Sequence, residues 1–376
     1  MDLSGTPTAW VHTSQAQRLV AGPGAIDQLG GALKDLGVRR VMVVTSAGRV
    51  RSDAGERLLK RLGRVLVATF AEAEAHVPVP LVRKAVTVAT DANVDAVVSL
   101  GGGSCADLAK AVAFFTEQQR GIPATTWFDR PALPHIAVPT TWSGAELTWS
   151  FGLMDPVSKR KQMAGSPTCA PVLVIYDPLA PLGLDPIVSA GSGMNCLAHG
   201  IETAWARGRT PEAEAVGLAC VARTVEALPA VVDDPFDIDA VAAMQAAASL
   251  GGRSLLNAMM GVHHGLAQLV GAMAGISHGL ANGILLGHTV AYNAADPLLS
   301  GSLHRIGVAL GEPDDPAGAI HRLRERIGLP AHLRDVGVTE DHLDAVAALA
   351  PAHPLVAANP RPVSSEDARA ILDAAF

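Results

Sequence analysis

Residues 94–115 read VDAVVSL, GGGS, CADLAKAVAFF: a run rich in β-branched residues, three glycines with a serine, then a small-residue stretch with helical spacing. A short apolar run bounded by glycine and followed by a helix-like segment predicts a strand that turns directly into a helix. Glycines at such a turn let the backbone approach a pyrophosphate closely. The free N–H groups and the positive dipole end of the helix favour its charge. A glycine run by itself is more often a turn, so the strand-to-helix setting carries this reading. The G-x-G-x-x-G spacing is absent.

On either side the same alternation continues. Residues 40–45 (RVMVVT) are a second strand-like run, and 173–176 (LVIY), ending at Asp177-Pro178, reads as the last strand of this half. Strands alternating with helix-like segments predict a Rossmann-like α/β domain with a parallel sheet, over residues 1–183. Past a boundary near 180–186 the texture changes. Stretches 210–228, 238–254, 316–327 and 365–375 are rich in Ala, Leu and Met at helical spacing, and predict an all-helical substrate and catalytic domain over 184–376. A cleft between two such domains is a usual place for a ligand.

The 376 residues are 49% hydrophobic and 17% charged, enough for two domains with separate cores. A net charge of -7 argues against nucleic acid and against a membrane surface, leaving a small-molecule substrate. The first fifteen residues lack a basic, then apolar, leader, and no uninterrupted apolar run reaches the ~20 residues of a bilayer helix, so a cytoplasmic protein is expected. Cys105, Cys169, Cys196 and Cys220 show neither CxxC spacing nor disulfide density and read as reduced, packed thiols.

A second constellation is Asn195, His199, His264 and His278. Asn195 and His199 lie four apart and share one helix face. On a single straight helix His264 and His278 would stand roughly 21 Å apart, so the chain must turn between them, and Gly275-Ile276-Ser277 offers the break. His263 falls on another face of its helix and reads as structural or as a support behind the site residues. An isolated histidine is usually a satisfied core residue, whereas several converging point to a site.

The string GGGSCADLAKA (101–111), with Pro139-Thr140-Thr141 and Glu146 downstream, resembles the GGGSxxDxAK element of iron-containing alcohol dehydrogenases. The shorter PTTWSGAE at 139–146, HVPVP at 76–80, the Lys159-Arg160-Lys161 cluster, VIYDPL at 174–179 and NPRP at 359–362 resemble the maleylacetate reductase branch. The resemblance spans nearly the whole chain and implies the dehydroquinate synthase-like, iron-containing alcohol dehydrogenase fold. It implies a homodimer and an NADPH or NADH cofactor held by Ser46, Gly101, Gly102, Gly103, Ser104, Asp107, Thr140, Thr141 and Lys161. Residues 45–47 offer no carboxylate to favour NADH, so NADPH is expected to be accepted.

In metal-dependent members, the positions matching Asn195, His199, His264 and His278 are Asp, His, His and His, and bind Fe²⁺ or Zn²⁺. Here the anionic ligand is an amide, which weakens any such ion. The resemblance therefore implies catalytic roles for Asn195, His199, His264 and His278 without a metal; if an ion binds, these four are its ligands. Two features depart from the branch. Gln268 replaces a histidine, and SHGLAN at 277–282 resembles ordinary alcohol dehydrogenases. The expected activity is reduction of a small carboxylated carbonyl or enoate, with hydride from nicotinamide and a proton from a histidine. Lys159, Arg160, Lys161 and Arg361 are candidate cations for the carboxylate. The alternatives are an Fe- or Zn-dependent alcohol dehydrogenase, a lyase-type relative, or a non-catalytic dinucleotide binder.

Overall fold

A computed structural model describes residues 9–122, 124, 133–155 and 161–376, without the side chain of Lys161. It divides into two units, 14–183 and the rest.

In the first unit the strands are β1 (Arg18–Ala21), β2 (Val41–Thr45), β3 (Leu66–Phe70), β4 (Ala96–Gly101), β5 (His135–Pro139), β6 (Ser150–Met154), β7 (Lys161–Gly165) and β8 (Leu173–Tyr176). The helices are α1 (Leu29–Asp35), α2 (Asp53–Leu62), α3 (Val79–Asp91) and α4 (Gly103–Gln119). A parallel six-stranded sheet runs in the order β1-β8-β5-β4-β2-β3. Strands covered on both faces need apolar residues at successive positions. VMVVT in β2 is accordingly buried throughout, with Val41 and Val43 packing among α1 and α2, and Met42 and Val44 among α3 and α4.

From β2 the chain goes to β3 on one side and then to β4 on the other, so the gap between β2 and β4 is the topological switch point where α/β sheets bind ligands. The two strands end together: Thr45 pairs with Leu100, and its Oγ1 donates to the Leu100 carbonyl at 2.7 Å. The antiparallel hairpin β6–β7 was not foreseen. Phe151 of β6 packs edge-on against Phe114 of α4.

The second unit contains α5 (Pro186–Trp205), α6 (Pro211–Asp233), α7 (Ile238–Ser254), α8 (Val262–Ala274), α9 (His278–Ala294), α10 (Ser300–Leu310), α11 (Pro316–Arg326), α12 (Glu340–Leu349), α13 (Pro354–Ala358) and α14 (Ser365–Ala375). Side-chain caps fix the starts of several of them, among them Asp185, Thr210, Asp237 and Ser277. By length and composition α6 could cross a bilayer, with mean hydropathy 1.6 over eighteen residues. Its small residues have another use, since a Cβ at Gly200 of α5 would come within 2.6 Å of the Gly217 carbonyl of α6.

The expected first domain of 1–183 needs one amendment. Its described residues before Ser14 belong to the helical unit. There the Thr13 N–H donates to Asn257 Oδ1 at 2.7 Å, while Asn257 Nδ2 donates back to the Thr13 carbonyl at 3.0 Å.

Candidate active site

Gly101 ends β4, Gly102 caps α4, and Gly103 and Ser104 form its first turn. The helix thus begins inside the glycine run and opens its free N–H groups there. Gly101 holds φ +150°, and a Cβ on it would lie 2.4 Å from Cys105 Sγ. Gly102 is constrained from another side: its Cβ would sit 2.9 Å from Thr141 Cγ2. Both glycines are required by the chain's own packing before any ligand is considered.

Thr140 extends the strand by donating its N–H to the Gly101 carbonyl at 2.9 Å, and its buried Oγ1 has no hydrogen-bond partner. A buried hydroxyl left unmatched beside glycine backbone at a helix start fits a dinucleotide. Ser46 follows β2 across the switch point, where its Oγ accepts from the Arg49 N–H at 3.4 Å.

Asp107 is spent within the protein. It pairs with Lys110 Nζ at 2.8 Å and accepts from the Gly152 N–H at 3.2 Å. Buried Lys110 also donates to the carbonyls of Ala145 and Ser150, at 3.0 and 2.6 Å, so the two charges brace α4 against the 145–152 segment. Lys159, Arg160 and the side chain of Lys161 lie outside the described residues. Arg361 is stacked 3.8 Å from the Tyr292 ring and donates to the Tyr292 carbonyl, so its guanidinium is already engaged.

The other predicted residues come together in the helical unit. Asn195 and His199 lie one turn apart on α5, His264 is in the first turn of α8, and His278 opens α9. The turn expected between the last two is built by Gly275 at φ +69° and by Ser277, which caps α9. His199 and His264 stack at 4.8 Å between ring centroids, 10° from parallel, and His278 lies 6.0 Å from His264. Asn195 Oδ1 is 3.3 Å from His264 Nε2. Crossing of α5 and α9 through two glycines permits this convergence: a Cβ on Gly191 would lie 3.0 Å from Gly279 Cα, and the reverse holds equally.

Burial, with the fields of His264 and His263, drives the His199 pKa well below the ordinary histidine range, and its Nδ1 has no hydrogen-bond partner. His263 is structural. Its Nε2 meets Asn282 Oδ1 at 2.7 Å and its Nδ1 meets Thr289 Oγ1 at 3.3 Å.

One participant escaped the sequence reading. Glu202, buried on α5 three residues after His199, faces His264 Nδ1 at 2.6 Å. The i,i+3 spacing from His199 was the available signal. Burial pushes its carboxyl upward in pKa, and the backbone amides at the start of α8 act against that shift.

The family's metal fits these residues poorly. Among the described residues no three of His, Cys, Asp or Glu are arranged to hold an ion. The carboxylate at hand, Glu202, is committed to His264 and α8, leaving an amide and imidazoles, with no anion, as the donor set.

The iron-containing alcohol dehydrogenase family matches residues 16–178, and the Fe-containing alcohol dehydrogenase family, C-terminal, matches 189–376. A maleylacetate reductase from Rhizobium sp. (strain MTP-10005) is 33% identical over 368 residues, covering 98% of this chain and 97% of that protein. The crystal structure of maleylacetate reductase from the same strain superposes with TM-score 0.86 at 32% identity, covering 98% and 99% of the two chains. A putative alcohol dehydrogenase from Ralstonia eutropha JMP134 gives TM-score 0.88 at 32% identity, with 98% of each chain covered. The protein is therefore an oxidoreductase belonging to the iron-containing alcohol dehydrogenase family, with maleylacetate reductases among its full-length relatives.

Proposed function

We propose that this chain is an NAD(P)H-dependent, metal-independent reductase of a small carboxylated carbonyl or enoate, of the maleylacetate reductase kind. The observation that carries the reading is Asn195, an amide set 3.3 Å from His264 Nε2 where the metal-dependent relatives have an aspartate ligand. The full-length likeness to maleylacetate reductases supports the substrate class.

A bound nicotinamide supplies the hydride. The glycine turn at 101–103 and the Thr140 hydroxyl hold the dinucleotide. As hydride reaches carbon, negative charge develops on the acceptor, and a positioned acid must neutralise it. His264, backed by Glu202, is the proton donor. His199, kept neutral by burial, hydrogen-bonds the substrate instead. Asn195 orients through its amide, and His278 completes the polar wall. Burial of Asn195, His199 and His264 keeps water from the exchange.

Gln268 and SHGLAN at 277–282 favour a second reading, an alcohol dehydrogenase acting on an uncharged aldehyde or ketone. One screen separates the two. NADH and NADPH oxidation is followed with oxo-acids, enoates and aldehydes, with and without added Zn²⁺ or Fe²⁺. Turnover confined to carboxylated acceptors and indifferent to metal supports the proposal. Turnover of simple aldehydes that requires metal rejects it.

A further inference from the structure

We infer that Glu202 is the positioning residue of the site: it fixes the ring of His264 with its proton on Nδ1, so that Nε2 is the nitrogen presented to substrate. The inference rests on the reading of His264 as a residue of the site.

Three nitrogens converge on the Glu202 carboxylate. The His263 N–H reaches Oε1 at 2.9 Å, the His264 N–H reaches Oε2 at 3.3 Å, and His264 Nδ1 reaches Oε2 at 2.6 Å. Two backbone N–H groups at its oxygens favour the ionised carboxylate against the effect of burial, which assigns the proton of the 2.6 Å contact to Nδ1. Neutral imidazole carries a single N–H, and a hydrogen bond made by one nitrogen decides the state of the other. Nε2, 3.3 Å from Asn195 Oδ1, is then the nitrogen that gains a proton when the ring becomes imidazolium and gives it to a ligand.

The surroundings are shaped for this carboxylate. Gly261, just before α8, has no room for a side chain, since a Cβ there would come 3.0 Å from Glu202 Oε1 and 2.6 Å from Asn359 Oδ1. Asn359 Oδ1 takes the neighbouring Val262 N–H at 3.2 Å. Successive amides at the start of α8 are thereby satisfied by side chains from α5 and from the 359–362 segment. Glu202 therefore ties His264 to the helix that carries Asn195 and His199, joining three of the four groups through one buried carboxylate.

The test uses the whole protein labelled with ¹⁵N-histidine, in which long-range ¹H–¹⁵N spectra distinguish the two ring nitrogens. His264 is assigned by the resonances missing from His264→Asn. The expected spectrum shows Nδ1 protonated; a neutral His264 protonated on Nε2 overturns the inference, with no variant of Glu202 needed. Glu202→Gln keeps an oxygen for the His263 N–H but sets an NH₂ against Nδ1, so His264 should switch to the Nε2–H form. Turnover should fall roughly 10- to 100-fold, with the dissociation constant for NADH or NADPH unchanged. In the His264→Asn background the same change should cost no further turnover, whereas independent losses that multiply would mark a merely structural role and reject the inference. If the nitrogen pattern switches as expected but no carboxylated acceptor is reduced, the proposed function fails and the positioning role stands.

Discussion

The imidazoles of His199 and His264 lie face to face, 4.8 Å between centroids, with the carboxylate of Glu202 on the edge of one ring and absent from the other. Stacked at this distance in a buried site, the two rings cannot carry positive charge together, and His199 is the one held neutral. The pair therefore divides its labour. Replacing His264 by Ala should lower turnover by about 10²- to 10⁴-fold, the range of a lost general acid. His199→Ala and His278→Ala should cost less and act more on KM. Steady-state kinetics on each variant check the order; equal losses at His199 and His264 would contradict it.

At the glycine turn, Gly102→Val should displace Thr141 and with it the adjoining Thr140 hydroxyl. The dissociation constant for NADH, followed by its fluorescence, should rise at least tenfold in a variant that still melts cooperatively. An unchanged constant would remove the loop from the cofactor site.

Ser46 stands at the end of β2, beside the switch point. Ser46→Asp should repel the 2′-phosphate of NADPH while sparing NADH. The measured quantity is the NADPH to NADH ratio of kcat/KM, which should fall severalfold. A constant ratio would place the ribose elsewhere.

Exhaustive chelation should leave turnover within a factor of two, because the donor set lacks an anion. Asn195→Asp should raise the affinity for Zn²⁺ or Fe²⁺, read by calorimetry. One tightly held ion per chain in the unaltered protein, with activity lost on stripping, would sink the metal-independent reading.

Stability should weaken in acid because of two buried histidines. His135 and His263 are buried, and burial first, then the nearby Lys110 and His264 respectively, lowers their pKa values to about 3 and about 4. Both rings are neutral in the fold but take up protons in the unfolded chain below the ordinary value of 6.5. Their stabilisation is complete above that value and is lost as pH falls toward 4. The thermal midpoint should drop by several degrees from pH 7 to 4.5; a flat profile would show that these rings accept charge where they are.

Much of this architecture was legible because it follows local rules. The strand, glycine and helix succession at 94–115 placed α4 to within two residues of its start, and Gly275-Ile276-Ser277 gave the break between α8 and α9. What escaped depends on partners distant in sequence. Glu202 meets amides 61 and 62 residues away. Thr13 pairs with Asn257, 244 positions on. The hairpin β6–β7 is written in SFGLM and KQMAG, stretches with too few β-branched residues to declare themselves. Asp107 sits in a motif whose likeness suggested a ligand, while its bonds go to Lys110 and Gly152.

Gly191 and Gly279 contribute no functional group, yet they act as the gauge of the histidine cluster. Gly279 adjoins His278, and Gly191 lies one turn before Asn195, so the thickness of two hydrogen atoms sets how far those polar groups stand apart. Even a methyl at either position would wedge the crossing open and widen the whole arrangement while leaving its chemistry nominally intact. Selection on catalysis would then be felt at two residues that never touch a reactant, and a chain repurposed for a bulkier acceptor could enlarge its site there without exchanging a single histidine.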